Sequence, residues 1–229
     1  MTKYLCQAAH HVTSVELDER LIPLLSAFME PYPNFTLVQG DVLQLDLRQV
    51  TRDMRAPLSV VANIPYYITT PIITLLLTSG LPLRRLALMV QKEVADKLLS
   101  SPGDEGWGPL AVRAQYLSEP SLAMDVPASC FTPMPKVDSA FVVLDMRETP
   151  AVRPVDEEDF FRVAGAAFAL RRKTMTNNLC ATFHLTRDRA VALMQAAELD
   201  ERIRGEKLSL EELCRLSDAY TAYRKEAQP

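Results

Sequence analysis

The sequence predicts an α/β fold, with a largely parallel sheet that has an antiparallel end, followed by a small all-helical segment. Short apolar runs with strand composition alternate with helical periodicity as far as Met146, which is the pattern of βαβ units. Residues 149–155 have the composition of a linker, and every periodic segment beyond them is helical. We therefore expect one domain over residues 1–148 and a helical C-terminal domain over residues 154–229.

Six strands and nine helices are predicted along the chain. Each strand is a short apolar or alternating run that ends at polar or turn residues. The predicted strands are residues 12–17, 35–38, 58–62, 86–90, 122–124 and 140–144. Each helix has apolar residues that recur every three or four positions, and Ser209 with Glu211 and Glu212 marks the start of the last one. The predicted helices are residues 2–9, 20–29, 71–78, 93–99, 110–117, 158–170, 174–180, 187–197 and 210–223.

Composition narrows the classes of function. No apolar run is long enough to span a bilayer, and the first residues, MTKYLCQAAHH, lack the apolar core of a secretory signal. The four cysteines form no Cys-x-x-Cys pair, which favours reduced thiols in a cytoplasmic protein and does not favour a metal site. The net charge of −4 argues mildly against nucleic acid as a partner. However, Arg171, Arg172 and Lys173 are adjacent, and no acid occurs between Asp159 and Asp188, so a local basic surface is expected there.

Polar side chains follow three successive strands, and they are Glu16, Asp41 and Asn63. In an open parallel sheet, strand ends form the ligand crevice, and an acid there can accept hydrogen bonds from ribose hydroxyls or an adenine amino group. Taken singly, each residue is better explained as a solvated turn. Taken together and in this order, the three favour a ligand that contains a nucleoside.

The segment Asn63-Ile64-Pro65-Tyr66 is the most specific signal in the chain. Methylation of an exocyclic adenine amine requires activation of a nitrogen whose lone pair is delocalised into the ring. The Asn63 side-chain oxygen and the Ile64 carbonyl, held by Pro65, can accept from both N–H groups and stabilise the charge that develops during transfer. Tyr66 offers a face on which an extruded base can stack. The alternative is an ordinary strand-ending turn, since asparagine and proline are common there.

Three further segments fit a nucleic-acid substrate less specifically. Phe131, in a proline-rich loop before the last strand, either stacks on the other face of the base or fills the core under the loop. The segment Gln91-Lys92-Glu93 is either a structural pair or a wall of the crevice. The basic run 171–173, with Asn177 and Asn178, can contact phosphates or be a solvated helix face.

These motifs together resemble those of the small-subunit ribosomal RNA adenine dimethyltransferases, the KsgA family. The matching stretches span nearly the whole chain and are "VTSVELDERLIPLL", "VQGDVLQLD", "VVANIPYYITTPII", "MVQKEVADKL", "FTPMPKVDSAFV" and "AFALRRKTMTNNL". The resemblance implies a class I, S-adenosylmethionine-dependent fold with a small helical C-terminal domain. It also implies N6-dimethylation of two adjacent adenosines near the 3′ end of 16S rRNA, in the 30S subunit or its precursor, with a role in subunit biogenesis. We expect a monomer.

The resemblance also implies roles for individual residues. Glu16 would bind the ribose of the cofactor and Asp41 its adenine. Asn63 would lie between the cofactor and the target amine. Tyr66 and Phe131 would flank the target base.

One feature of the family pattern is missing. Family members begin with a first strand and a Gly-rich loop that holds the cofactor, whereas no glycine precedes Gly40 in this sequence. Six predicted strands instead of seven indicate that the strand between those carrying Glu16 and Asn63 is absent. We therefore expect a chain truncated at its N-terminus, with two unpaired strand edges, weak or no binding of S-adenosylmethionine, and full activity only when the missing segment is present.

Parts of the sequence are also compatible with three other functions. Erm-type 23S rRNA methyltransferases share the Asn-Ile-Pro-Tyr element, although the RRKTMTNN segment and Pro71 favour the small-subunit family. A noncatalytic RNA-binding or assembly protein is the alternative that the missing loop supports. A DNA adenine methyltransferase is less favoured, because the helical tail and the proline-rich loop match the RNA family.

Overall fold

The computed structural model describes residues 1–226, which form ten α-helices and six β-strands. The helices are α1 Thr2–Ala8, α2 Ile22–Met29, α3 Leu47–Thr51, α4 Thr69–Thr78, α5 Lys92–Leu99, α6 Pro109–Leu117, α7 Glu157–Ala169, α8 Met175–Phe183, α9 Arg187–Ala196 and α10 Leu210–Glu226. The strands are β1 Val12–Glu16, β2 Phe35–Gln39, β3 Leu58–Asn63, β4 Leu83–Gln91, β5 Ser118–Val126 and β6 Ser139–Met146. All six predicted strands and all nine predicted helices are confirmed, and α3 is the one helix that was not predicted.

The strands form two sheets. One contains β1 and β2, and the other has the strand order β3-β4-β6-β5. Within residues 1–226, β1 and β3 each have a single strand neighbour. The chain divides into two compact units, the first made of residues 1–59 and 67–84 and the second of residues 60–66 and 85 onward.

The first unit contains the parallel β1–β2 pair, whose register runs from Val12 opposite Phe35 to Glu16 opposite Gln39. A small core of Cys6, Val12 and Met29 lies against this pair. On helix α2 two large apolar side chains, Leu24 and Phe28, are exposed. Helix α3 begins at an N-cap, Asp46, whose carboxylate accepts hydrogen bonds from two backbone amides of the first turn.

In the second unit, β6 lies between β4 and β5 and is antiparallel to both. Alternate residues of β4 and β6 are fully buried, as expected for a sheet covered on one face by helices. These buried residues are Leu86, Leu88, Val90, Ala140, Val142 and Leu144. The register places Gln91, at the end of β4, opposite Ser139, and Val126, at the end of β5, opposite the same serine.

Helices α6 to α10 share one hydrophobic core. Its largest fully buried side chains are Phe160, Met175, Leu179, Met194, Leu208 and Leu213. The last helix begins with a reciprocal cap, because Ser209 Oγ accepts from the Glu212 amide and a Glu212 carboxylate oxygen accepts from the Ser209 amide. This confirms the predicted helix start.

The same core extends upstream of the predicted domain boundary. Trp107, Val112 and Tyr116 precede residue 148, yet their side chains are buried in the core of α7–α10. The division at 148 and 154 therefore stays a prediction, and residues 109–117 contribute to the packing of the helical part. No helix among residues 1–226 is long and apolar enough to cross a membrane.

Candidate functional site

Two carboxylates lie at the same end of the β1–β2 pair. Glu16 is the last residue of β1, and its carbonyl accepts a hydrogen bond from the Gly40 amide at 2.9 Å, directly before Asp41. One oxygen of each carboxylate closes a turn, accepting from Asp18 N in one case and from Leu43 N in the other, both at 2.9 Å. The structure thus brings Glu16 and Asp41 to the same end of the pair, and within residues 1–226 the second oxygen of each carboxylate is available as an acceptor.

The Asn63–Tyr66 segment belongs to the second unit. Asn63 ends β3 and is exposed, whereas Ile64 is 2% exposed and its amide donates to Met89 O at 3.2 Å. Pro65 is exposed, and a 3-10 turn, Tyr66–Ile68, follows. The buried Ile64, with its amide bonded to Met89 O, fixes the backbone of the turn against β4. Asn63 is exposed to solvent at the end of the strand.

Tyr66 is held by a hydrogen bond that the sequence analysis did not predict. Its hydroxyl lies 2.6 Å from Ser139 Oγ, although the two residues are 73 positions apart in the sequence. Ser139 is the first residue of β6 and is fully buried. The aromatic ring is therefore tied to the sheet at its hydroxyl end, and no local sequence signal could have revealed that partner.

Phe131 lies in the loop that leads into β6. A 3-10 turn, Ala128–Cys130, precedes it, and the Phe131 amide donates to Ala128 O at 3.1 Å. Asp138 closes this loop, because its carboxylate accepts from Ala128 N at 2.8 Å and its carbonyl accepts from Lys92 N at 3.0 Å. Phe131 is half-buried, and both of its predicted roles stay predictions.

Lys92 and Glu93, directly after β4, both form ion pairs within the protein. Lys92 Nζ lies 2.9 Å from Asp125 and 3.2 Å from Asp96, and Glu93 pairs with Lys97. The hydrogen bonds to Asp125 and then to Asp96 hold the pKa of Lys92 above its ordinary value, so the amine stays protonated at neutral pH. Of the two interpretations left open for this segment, the structural pair is the one that the structure supports.

The basic run Arg171–Lys173 forms the exposed turn between α7 and α8. Arg171 donates from Nη2 to the carbonyl of Glu105 at 3.0 Å, so one of its donors is engaged within the protein. An isolated antiparallel bridge joins Thr174 to Arg204 and brings a fourth exposed cation to this turn. Nothing in the local sequence indicates Arg204, because only the tertiary bridge to Thr174 places it beside residues 171–173.

The expectation for Asn178 is wrong. This residue is fully buried, and its Nδ2 donates to Ala167 O at 3.1 Å, so it supports the packing of α8 on α7 and cannot reach a phosphate. Its position one helical turn after Thr174, which caps α8, places it on the inner face of that helix.

The fold and these strand-end residues define the class of protein: a class I, S-adenosylmethionine-dependent methyltransferase with a helical C-terminal part. Solved structures support the fold. The chain is similar over 99% of its length to 86% of a dimethyladenosine transferase from Plasmodium falciparum, with a TM-score of 0.80 and 21% identity. It is also similar over 95% of its length to 85% of the 23S rRNA methyltransferase ErmE, with a TM-score of 0.69 and 27% identity.

Comparison with sequence families then gives the family itself. The model of the family described as "Ribosomal RNA adenine dimethylase" matches residues 1–222, and the chain belongs to that family. The chain is 43% identical to ribosomal RNA small subunit methyltransferase A of Lactococcus lactis, over 98% of its length and 78% of the relative's. It is 44% identical to the protein of the same name from Enterococcus faecalis, over 96% and 76%. The family resemblance predicted from the motifs is confirmed, and with it an rRNA adenine dimethyltransferase that uses S-adenosylmethionine.

Proposed function

We propose that this protein dimethylates N6 of two adjacent adenosines near the 3′ end of 16S rRNA, in the 30S subunit or its precursor. In this proposal it acts in the cytoplasm as a monomer, residues 1–148 carry the chemistry, and residues 154–229 contribute to RNA binding. The observation that carries the proposal is an exposed Asn63 at the end of β3, three positions before a Tyr66 ring that a buried serine holds.

The acceptor side of the reaction is assigned to the Asn63–Tyr66 segment. The Asn63 side-chain oxygen and the Ile64 carbonyl accept hydrogen bonds from the two N–H groups of the target amine. Those bonds strengthen as positive charge develops on the nitrogen, so they stabilise the transition state more than the bound substrate. The Tyr66 ring stacks on the extruded base, which contributes about 1–3 kcal/mol, and Phe131 covers its other face.

The cofactor side is assigned to Glu16 and Asp41. Their available carboxylate oxygens are pure acceptors, which fit the ribose hydroxyls and the adenine amino group of S-adenosylmethionine. Asn63 is assigned a position beside the cofactor as well as the amine. When bound, the cofactor supplies a methyl group on a sulfonium centre. The contribution of the protein is then to align the acceptor nitrogen with that group and to exclude water.

RNA binding is assigned to the basic turn, which comprises Arg171, Arg172, Lys173 and Arg204. All four residues are exposed, and side chains of this kind bind phosphate oxygens without reading sequence. This surface explains how a chain with a net charge of −4 binds RNA, because the cations are gathered at one turn and not spread over the protein.

The direct test is methyl transfer by the 229-residue chain to 30S subunits that lack the modification. Mass spectrometry of the 3′ fragment of 16S rRNA should detect dimethyladenosine at two adjacent positions. Asn63→Ala should lower the rate about 10²–10³-fold, the usual cost of removing one group that stabilises developing charge. Gln49→Ala, which removes another exposed amide, is the matched control and should keep the wild-type rate. No product, or product unaffected by Asn63→Ala, would contradict the proposal.

Two further measurements separate the alternatives. The 27% identity to ErmE makes a 23S substrate the specific competitor, so transfer to protein-free 23S rRNA in place of 30S subunits would favour the Erm-type function. Calorimetric titration with S-adenosylmethionine tests the cofactor side by itself. Micromolar binding would contradict the noncatalytic RNA-binding function for this chain, whereas weak or no binding is what the missing Gly-rich loop leads us to expect.

A further inference from the structure

We infer that Ser139 is a positioning residue for methyl transfer, because it holds the hydroxyl of Tyr66 and thereby fixes the plane of the ring that stacks on the target base. The inference rests on the proposed function of Tyr66. It assigns the hydroxyl a role inside the protein, so that the face of the ring is the part of Tyr66 that acts on substrate.

Ser139 is well suited to anchor another side chain. It is fully buried, and its backbone is the point at which β6 enters the sheet, opposite Gln91 of β4 on one side and Val126 of β5 on the other. A serine side chain has only one rotatable bond before its oxygen. Its Oγ therefore has little freedom once the backbone is fixed, and a hydrogen bond to it at 2.6 Å constrains its partner closely.

Tyr66, in contrast, lies on a short element. It begins the 3-10 turn Tyr66–Ile68, and turns of this kind have poorer hydrogen-bond geometry than an α-helix. The torsion that rotates an aromatic ring about its Cβ–Cγ bond has a broad energy minimum. The hydroxyl is the atom farthest from the backbone, so a bond at that position is the most effective restraint on the tilt of the ring.

The same point of the sheet also holds the opposite wall of the proposed base site. Asp138, the residue before Ser139, closes the loop that carries Phe131 through its bonds to Ala128 N and Lys92 N. Residues 138 and 139 therefore connect both stacking residues to the start of β6. Release of the Tyr66 hydroxyl should misplace one wall relative to the other without removing either ring.

The consequence for catalysis follows from geometry. A misplacement of about 1 Å can cost up to about 100-fold in rate, because the reacting atoms must approach in line. Stacking itself needs only the ring, which remains in Tyr66→Phe. Loss of the hydroxyl contact should therefore lower kcat and leave KM nearly unchanged, whereas loss of the ring in Tyr66→Ala should also raise KM.

The test is a double-mutant cycle in the 229-residue chain, with Tyr66→Phe, Ser139→Ala and the combined variant. We expect each single variant to lower kcat about tenfold with KM within about twofold of wild type, and the combined variant to be no worse than either one. Ser118→Ala is the matched control. Ser118 is an equally buried serine at the far end of β5, where its Oγ donates to Ala114 O. Its replacement should lower the melting temperature but keep kcat.

Wild-type kcat in Ser139→Ala, or losses that multiply in the combined variant, would overturn the inference. Melting temperatures test the contact between Tyr66 and Ser139 independently of the proposed function. Each single variant should lose about 2–4 °C, with no further loss in the combined variant. If wild type transfers no methyl group, the proposed function fails and the catalytic role of Ser139 fails with it, while a non-additive melting shift would still support the contact. Additive melting shifts would overturn the contact itself.

Discussion

Gly205 lies directly against the carbonyl group of Ala167. A β-carbon placed on Gly205 would be 1.9 Å from the carbonyl oxygen of Ala167 and 2.5 Å from its carbonyl carbon. The same oxygen accepts the hydrogen bond from Asn178 Nδ2. The end of α7, the start of α8 and the 3-10 turn that begins at Gly205 therefore meet at one carbonyl group, close to the basic turn.

Replacement of Gly205 should be strongly destabilising. In Gly205→Ala the new methyl group meets backbone atoms that cannot rotate away, and overpacking of this kind costs about 3 kcal/mol. The free energy of unfolding, measured with urea, should fall by that amount. Gly165→Ala is the matched control, because Gly165 is exposed in α7 and nothing lies within 4 Å of its added β-carbon. That variant should be more stable than wild type by about 0.5–1 kcal/mol. Equal effects of the two substitutions would contradict the close approach at Gly205.

Asp159 should be important for the attachment of α10 to α7. Its side chain is 1% exposed, and its carboxylate accepts from Thr221 Oγ1 at 2.9 Å, Arg224 Nε at 3.0 Å and Arg162 Nη1 at 3.3 Å. Asp159→Asn keeps the shape but removes the charge that these donors share, so unfolding should become easier by about 2 kcal/mol. Asp53→Asn removes a charge from an exposed ion pair and should have no measurable effect. Similar urea midpoints for wild type and Asp159→Asn would argue that the network contributes little.

Protonation of Asp156 should destabilise the folded protein in acid. The backbone amide of Asp159 is the main cause that lowers the pKa of this N-cap carboxyl; burial opposes that effect, and the Arg224 guanidinium adds to it. Because the folded-state pKa lies below the unfolded value of about 3.9, the unfolded chain binds more protons in this range. The stabilisation is therefore fully present well above the unfolded value and is lost as the pH falls through the folded-state pKa.

The variant that tests this prediction is Asp156→Asn, which retains a good N-cap but cannot titrate. Thermal unfolding followed from neutral pH into the acid range should show a weaker decline in acid for the variant than for wild type. Glu19→Gln, at an exposed residue, should keep the wild-type profile. A variant with the same acid dependence as wild type would show that Asp156 is not the responsible group.

The basic turn should determine the salt dependence of RNA binding. Each lost phosphate contact reduces the slope of log K against log salt by about 0.7–0.9. Arg172→Ala and Lys173→Ala should each lower the slope by up to that amount when binding to 16S fragments is measured between about 50 and 200 mM salt. The same result is expected for Arg204→Ala. Arg55→Ala, at an exposed arginine of the first unit, should leave the slope unchanged. Unaltered slopes in the first three variants would place RNA binding elsewhere.

Local patterns predicted the elements well, and the two departures, in the bounds of one strand and in one short helix, have separate physical causes. The strand predicted at residues 122–124 is in fact Ser118–Val126. Glu119 and Pro120 have low strand propensity, but each pairs with a residue of β6, and an edge strand tolerates proline. Helix α3 was missed although its N-cap, Asp46, is a local signal, because its five residues are too few to show helical periodicity.

The sequence predicted the residues proposed to contact substrate, but not the residues that hold them in place or join them from distant parts of the chain. Asn63 and Tyr66 could be recognised because four consecutive residues carry the signal. The partner of Tyr66 is 73 residues away, and Arg204 reaches the basic turn through a bridge to Thr174. Contacts of this kind depend on how the chain folds back on itself, and single-sequence periodicity contains no information about them.

Helix α6 has a consequence for how relatives of this protein can be recombined. On one side, Gln115 Nε2 donates to the carbonyls of Leu98 and Ser100 at the end of α5, and on the other Val112 and Tyr116 are buried among the C-terminal helices. A chimera joined within residues 149–155 would pair an α6 from one parent with helices from another. A chimera joined before Lys92, at the start of α5, would inherit both sides of that packing together, so the proline linker is the more visible crossover point but the less compatible one.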